Sequence, residues 1–244
     1  MEDAFFAWSG GKDSALALYR VLQQQQFRVK YLLTTVNESH QRVSMHGVRL
    51  ALLEQQALAI GIPLKIMWVP ENPGMAEYEA RMREILVSFK AEGITTGIFG
   101  DIFLADLRHY RENNLAQVGL KAAFPLWGEN TTSLVQEFLQ SGFKAQLVCV
   151  SDQRLGRSFA GRLLDTATLE AFPPGVDPGG ENGEYHSFVY EGPIFSQPID
   201  FRTGEIILRD YAVAAQTSSD CGTDDPVILD TRFWFYDLIP VTGH

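Results

Sequence analysis

Short apolar runs alternate with longer segments that carry apolar residues at helical spacing through the first half of the chain. Ala4 to Trp8 predicts a buried strand entering a glycine turn. Leu18, Val21 and Leu22 then recur at helical spacing, and Val29 to Val36, rich in β-branched and aromatic residues, predicts a second strand. Leu50, Leu53, Ala57 and Ile60 mark one face of a helix, with Gly61 at its expected stop and Pro63 just beyond. Leu64 to Val69 reads as a third strand. Tyr78, Met82, Ile85 and Phe89 form another helical stripe that Gly93 closes, and Gly97 to Gly100 reads as a short strand running into Asp101. A polar helix is expected over roughly Leu104 to Val118.

This alternation predicts an α/β fold, a Rossmann-like parallel sheet with helices on both faces, whose ligands sit beyond the carboxyl ends of the strands. The segment Ser9 to Ser14 and Asp101 both follow strand ends and are expected on that same edge. Near Pro125-Leu126-Trp127-Gly128 the pattern changes. A helix over about Thr132 to Gln140, a strand over about Phe143 to Val150 and a helical stretch over Ser158 to Ala171 follow. Then come a proline- and glycine-rich loop, Pro173 to Gly183, and β-like segments near Ser187–Tyr190, Glu205–Leu208 and Arg232–Phe235. A nucleotide domain over residues 1–129 and a smaller α+β C-terminal domain over 130–244 are therefore expected.

Composition narrows the function classes. With 45% hydrophobic and 20% charged residues, the 244-residue chain can bury a sizeable core. A net charge of −10 argues against an extended nucleic-acid surface, which needs a cationic face. The two cysteines, Cys149 and Cys221, are far apart, so neither a CxxC metal knuckle nor a disulfide framework is expected. No apolar stretch approaches a membrane span and the acidic start is unlike a signal peptide, so a cytoplasmic protein without a membrane partner is expected.

The densest chemistry lies in Trp8-Ser9-Gly10-Gly11-Lys12-Asp13-Ser14. Consecutive glycines allow backbone to approach an anion closely, and the following helix directs its free N–H groups and positive dipole end at the loop. Ser9 and Ser14 add hydroxyls and Lys12 a full charge, a set suited to a di- or triphosphate. The spacing is neither that of a Walker A loop nor GxGxxG; the alternative is a plain capped strand–helix turn. A second cluster, Glu181-Asn182-Gly183-Glu184-Tyr185-His186, offers two carboxylates, an amide, a phenol and an imidazole within six positions. It suits magnesium, an amine nucleophile or proton transfer, or else is a solvated turn before an edge strand. Asp101 fits either a magnesium or amine ligand or a helix cap. His46 fits a nucleotide or substrate contact or an ordinary surface position, and Thr34 and Thr35 end the second strand where such folds receive adenine or ribose.

Ser9-Gly10-Gly11-Lys12-Asp13-Ser14 resembles the SGGxDS signature of the PP-loop ATP pyrophosphatases, which cleave ATP between its α- and β-phosphates through an adenylated substrate. Within that superfamily, also called adenine nucleotide α-hydrolases, the chain is similar to the diphthine–ammonia ligase-like family. The similarity runs through Gly100-Asp101-Ile102, Pro125-Leu126-Trp127 and Glu181-Asn182-Gly183-Glu184-Tyr185. It implies a PP-loop ATP-binding domain and an ATP-dependent C–N ligase that activates a small-molecule or protein-borne carboxylate as an acyl-adenylate, releases pyrophosphate and amidates with ammonia or an amine. The implied cofactors are ATP and Mg2+. Ser9, Gly10, Gly11, Lys12, Asp13, Ser14 and Thr35 would hold the nucleotide, with Asp13 on the metal. Lys12, Asp101, Glu184 and His186 would be catalytic, and His46, Glu181, Asn182, Gly183, Glu184 and Tyr185 would contact substrate. Diphthamide-forming members carry an acidic residue and a threonine after the Gly-Glu-Tyr or Gly-Glu-Phe step, where this chain has His186 and Ser187. That difference points to the bacterial branch with another acceptor, for which roles including cobalamin salvage have been suggested. The alternatives are a nucleotide-binding sensor without chemistry and simple ATP α–β hydrolysis coupled to another pathway, and a homo-oligomer is compatible with any of them.

Overall fold

The structure, a computed structural model, describes residues 1–43, 47–71, 74–210 and 231–241. The elements in chain order are β1 (Glu2–Ala7), α1 (Lys12–Gln24), β2 (Phe27–Asn37), β3 (Arg42–Val43), α2 (Leu50–Ile60), β4 (Leu64–Val69), α3 (Met75–Ala91), β5 (Thr96–Ile98), α4 (Ala105–Gln117) and β6 (Lys121–Ala123). They continue with α5 (Thr131–Gln140), β7 (Lys144–Ser151), a 3-10 turn (Arg157–Phe159), α6 (Thr166–Glu170), β8 (Tyr185–Glu191), β9 (Phe201–Asp210) and β10 (Arg232–Pro240).

Five strands run parallel in the order β4–β2–β1–β5–β6, and β3 pairs antiparallel with the last two residues of β2. Chain order reverses between β1 and β5. Their carboxyl ends therefore flank the crevice where an open parallel sheet accepts ligands. Alternation along the strands feeds two cores. Phe6 and Leu32 point to the side of α1 and α2, whereas Phe5 and Leu33 point to the side of α3 and α4. On the second side Phe5 stacks on Phe89 with ring centres 4.9 Å apart.

The second sheet is antiparallel in the order β8–β7–β10–β9. Leu147, Val150, Phe188 and Leu238 from it belong to the same apolar cluster as Leu16, Leu18, Leu52 and Leu53 of α1 and α2. These two helices are thus shared between the sheets, and that sharing brings β8 against the loop after β1. Asp237 of β10 adds a polar tie, receiving Arg49 Nη2 at 2.6 Å and Arg42 Nη2 at 2.9 Å from the edge of the first sheet. Burial acts to raise this carboxyl, but the two guanidinium groups outweigh it and hold it below the usual aspartate range.

The expected helix Ser158–Ala171 is not continuous. Gly161 adopts φ +82° and Leu163 forms a bridge to Gln146, so the helix restarts only after Asp165, whose side chain caps it by accepting from Thr168 N at 2.8 Å. Two strands had no signal of their own. β6 is Lys-Ala-Ala, extended by pairing with β5, and β3 is two residues held by the end of β2.

Candidate nucleotide-loop site

The loop from Trp8 to Lys12 turns out of β1 with Gly10 at φ +78°, a conformation that disfavours any side chain. A Cβ at Gly10 would also stand 2.8 Å from Gln56 Oε1. Gly11 precedes α1 with no side-chain cap, leaving the first helical turn directed at the crevice. Ser14 Oγ donates to Gly11 O at 2.9 Å and lies 3.1 Å from Ser9 Oγ, so the two serines brace the loop. Across the crevice β5 delivers Gly100 so closely that a Cβ there would lie 3.2 Å from the Asp13 carbonyl and the Ser14 amide. The crevice beyond β1 and β5 therefore gathers Ser9, Gly10, Gly11, Lys12, Asp13, Ser14 and Gly100.

The second sheet closes the other side. Val189 N donates to Gly10 O at 2.9 Å, and Lys12 N donates to Ser187 Oγ at 3.1 Å. Gln56, fully buried in α2, completes the joint. Its Nε2 donates to Val189 O at 2.6 Å and to Gly10 O at 3.2 Å, while its Oε1 accepts from Trp8 Nε1 at 2.9 Å. Sequence reasoning missed Gln56. Its signal was a polar residue on the face marked by Leu53, Ala57 and Ile60.

Lys12 is 5% exposed and lies under the 177–185 loop. Its ammonium meets both Asp13 oxygens at 2.7 and 2.8 Å and Glu181 Oε1 at 3.7 Å, and sits 5.3 Å from the centre of the Tyr185 ring. Burial works against the charge, but Asp13, with Tyr185 and Glu181, more than offsets it and raises the lysine above its ordinary pKa. Glu181 is pushed up to about 7, first by burial and then by the Asp13 charge, with Lys12 pulling the other way. Burial likewise raises the Tyr185 phenol, which donates to Pro178 O at 2.6 Å.

Glu184, expected to handle protons, lies away from solvent altogether. Its carboxylate accepts from Asp177 N at 3.1 Å, Asn182 N at 2.9 Å and Asn182 Nδ2 at 3.2 Å, which ties the 177–184 loop to the start of β8. The geometry gives it a scaffold role, and the carboxylate beside Lys12 is that of Glu181. Glu184→Gln is expected to cost about 1–3 kcal/mol, since an amide NH2 would face backbone donors. Thermal unfolding checks this. A variant as stable as the parent, with only acceptor turnover lost, would assign Glu184 to chemistry after all.

The remaining expected residues are spread more widely. Asp101 stands at the crevice, but its Oδ2 meets Arg111 Nε at 2.7 Å and its Oδ1 accepts from Arg111 Nη2 at 3.2 Å, so its charge is already matched. His186 sits in β8 opposite Cys149, Asn182 and Gly183 are exposed at the loop tip, and His46 and Cys221 lie outside the described residues. Thr35 is half-buried. Thr34, on the same face as Leu32, is buried with a hydroxyl that has no hydrogen-bond partner among the described residues. The site fits a polyphosphate on its glycines, its lysine and a helix start in which the Lys12 amide is given to Ser187. For magnesium, no group of three His, Cys, Asp or Glu side chains is gathered among the described residues, so Asp13 would hold it jointly with phosphate oxygens, as is usual for this ion.

Two family models match the chain, diphthamide synthase N-terminal domain over residues 3–122 and diphthamide synthase C-terminal domain over residues 130–213. The chain belongs to the diphthine–ammonia ligase-like family. Curated relatives include the diphthine–ammonia ligase of Danio rerio, 30% identical over 133 residues that cover 52% of each chain. That of Homo sapiens is 26% identical over 134 residues, covering 52% of this chain and 49% of the relative. The chain spans about half the length of the curated relatives it matches. Among solved structures, the U34-tRNA thiolase NcsA from Methanococcus maripaludis with its [4Fe-4S] cluster aligns at a TM-score of 0.36 and 18% identity, over 57% of this chain and 56% of that one. A likeness that low carries nothing to fold or function. Membership of the diphthine–ammonia ligase-like family rests on the matched models. No described helix is long and apolar enough to cross a membrane.

Proposed function

We propose that the chain is an ATP-dependent, amide-forming ligase that activates a carboxylate as an acyl-adenylate. The observation that carries this reading is the joint at Lys12. The amides and lysine suited to polyphosphate and the acidic 177–185 loop meet within one crevice, with Lys12 Nζ 3.7 Å from Glu181. A nucleotide site with no chemistry has no need of that second loop.

In this reading a carboxylate oxygen attacks the α-phosphorus of ATP, the α–β bridging bond breaks, and pyrophosphate departs. Lys12, the amides of Gly10 and Gly11 and the first turn of α1 stabilise the charge that gathers on the leaving group. Magnesium, held by Asp13 and the phosphates, would neutralise part of the same charge. Thr34 is the group we assign to the nucleoside. An amine nitrogen then attacks the acyl carbon, AMP leaves with the bonding pair of the carbon–oxygen bond, and the nitrogen gives up a proton. Glu181 is the base we assign to that proton. Most of the rate comes from positioning, because an adenylate is itself reactive. The pair His186-Ser187, where diphthamide-forming members carry an acidic residue and a threonine, favours an acceptor other than diphthine.

A pyrophosphate-release assay with magnesium, ATP, ammonium and a panel of carboxylates tests the proposal. Release that needs both a carboxylate and ammonium is expected. Tight ATP binding with no release across the panel would favour a sensor instead.

A further inference from the structure

The second sheet ends in a strand whose outer edge has no pairing partner among the described residues. β9 pairs along one side with β10 through eight register positions, from Phe201 opposite Pro240 to Asp210 opposite Arg232. It is ten residues long, with neither proline nor lysine, and its centre is Ile206-Ile207-Leu208. Ile207 and Leu208 are each 37% exposed. Natural proteins blunt such edges with short strands, bulges, proline or lysine, because open N–H and C=O groups template another strand. β9 is neither short nor marked by proline or lysine, its one register shift lies between Ile206 and Thr203, and its charges are arranged to select one partner.

We propose that two copies of this chain pair antiparallel through β9, joining their second sheets into one continuous sheet about a two-fold axis at Ile207. The charge pattern fixes both occupant and register. A two-fold axis perpendicular to a sheet must pass through a residue that faces its own copy, so only a few registers keep the two sheets' faces matched. With Ile207 opposite itself, Glu205 meets Arg209 of the partner copy twice over, and Ile206 meets Leu208. Sliding one residue toward Ile206 places Glu205 opposite Ile207 and Thr203 opposite Arg209. Sliding to Glu205 sets two carboxylates face to face, and sliding to Leu208 opposes Ile206 with Asp210 and Ile207 with Arg209. Directly opposed side chains in an antiparallel pair stand about 4.5–5.5 Å apart, close enough for opposite charges to stabilise and like charges to destabilise.

The same face of β9 borders a cleft of about 760 Å3 that is also lined by Asp237 of β10 and by Arg42 and Arg49 from the edge of the first sheet. Pairing through Ile207 would therefore set the two clefts side by side on one face of the joined sheet.

Sedimentation equilibrium of the full chain is expected to give twice the 27.3 kDa monomer mass. Glu205→Arg and Arg209→Glu, each of which opposes like charges, are expected to shift it to the monomer mass, and combining them is expected to restore the dimer. With Cys221→Ser, Ile207→Cys is expected to form a disulfide between copies under mild oxidation, whereas Thr203→Cys is not; this readout holds even if a charge variant folds poorly. A monomeric parent chain, with β9 covered by the chain's own segment 211–230 or left bare, would overturn the proposal. So would a dimer indifferent to the single swaps, or no rescue together with no cross-link at position 207.

Discussion

Lys12→Ala is expected to lower pyrophosphate release by about 100- to 1000-fold, the usual effect of removing one preorganised donor to a charge that develops in the transition state. ATP affinity should fall as well, because the same ammonium would contact the phosphates of the bound nucleotide. The structure adds a second consequence. Lys12 is the cation between Asp13 and Glu181, whose side chains are 33% and 16% exposed, so its removal leaves two neighbouring carboxylates without a counter-charge. Breaking a buried pair from one side costs several kcal/mol, and partial solvent access here reduces that to about 1–3 kcal/mol. Loss of stability and loss of catalysis can be separated. Adding Glu181→Gln to Lys12→Ala should recover much of the melting temperature and none of the first-turnover pyrophosphate burst from ATP and carboxylate, a step that precedes the one assigned to Glu181. A double variant that regained that burst would show that Lys12 acts only as a structural counter-ion.

Gln56→Leu is expected to have the largest effect on stability. The substitution keeps the volume but removes Gln56 from two buried groups, the carbonyl of Val189 and the indole N–H of Trp8, and takes away one of the two donors to the Gly10 carbonyl. Each stranded group costs about 1–3 kcal/mol, or roughly 2–5 kcal/mol together once some relaxation is allowed. For a chain of this length each kcal/mol shifts the midpoint by about 2–4 °C, so a fall on the order of 10 °C is expected by calorimetry. Because Gln56 holds Gly10 in its left-handed conformation and seats β8 on the loop, KM for ATP should rise more than kcat falls. Trp8→Phe, which strands only the glutamine oxygen, should show a small fraction of both effects. An unchanged melting point for Gln56→Leu would mean that apolar burial between the sheets, rather than this glutamine, sets the loop.

The contrast between Lys12 and Gln56 marks how far the sequence could be read. Lys12 announces itself, because Gly-Gly-Lys-Asp-Ser after an apolar run is local chemistry on a local turn. β1 and β2 were legible for the same reason, since Ala4 to Trp8 and Val29 to Val36 carry their own β preference. Gln56 carries none; its three partners lie 46 to 133 residues away and only the packing of α2 between two sheets brings them together. Asp101 was visible as a carboxylate at a strand end, but its pairing with Arg111 depends on how α4 folds back. Glu184 and Glu181 were indistinguishable as acidic residues of one loop, and burial separates them into a scaffold and a group beside Lys12. β6 and the broken 158–171 segment were set by neighbours, by pairing with β5 in one case and by Gly161 and the Asp165 cap in the other.

The proposed ligase chemistry requires the loop after β1 to receive the polyphosphate of ATP. A crystal structure with magnesium and α,β-methylene-ATP, which cannot be cleaved at the bond in question, tests it directly. The β- and γ-phosphate oxygens should lie about 2.7–3.2 Å from amides of residues 10–14, with the Lys12 ammonium turned from Asp13 toward them. Phosphates lodged instead against Arg42 and Arg49 in the cleft beside β9, with Lys12 still on Asp13 and Glu181, would contradict the account.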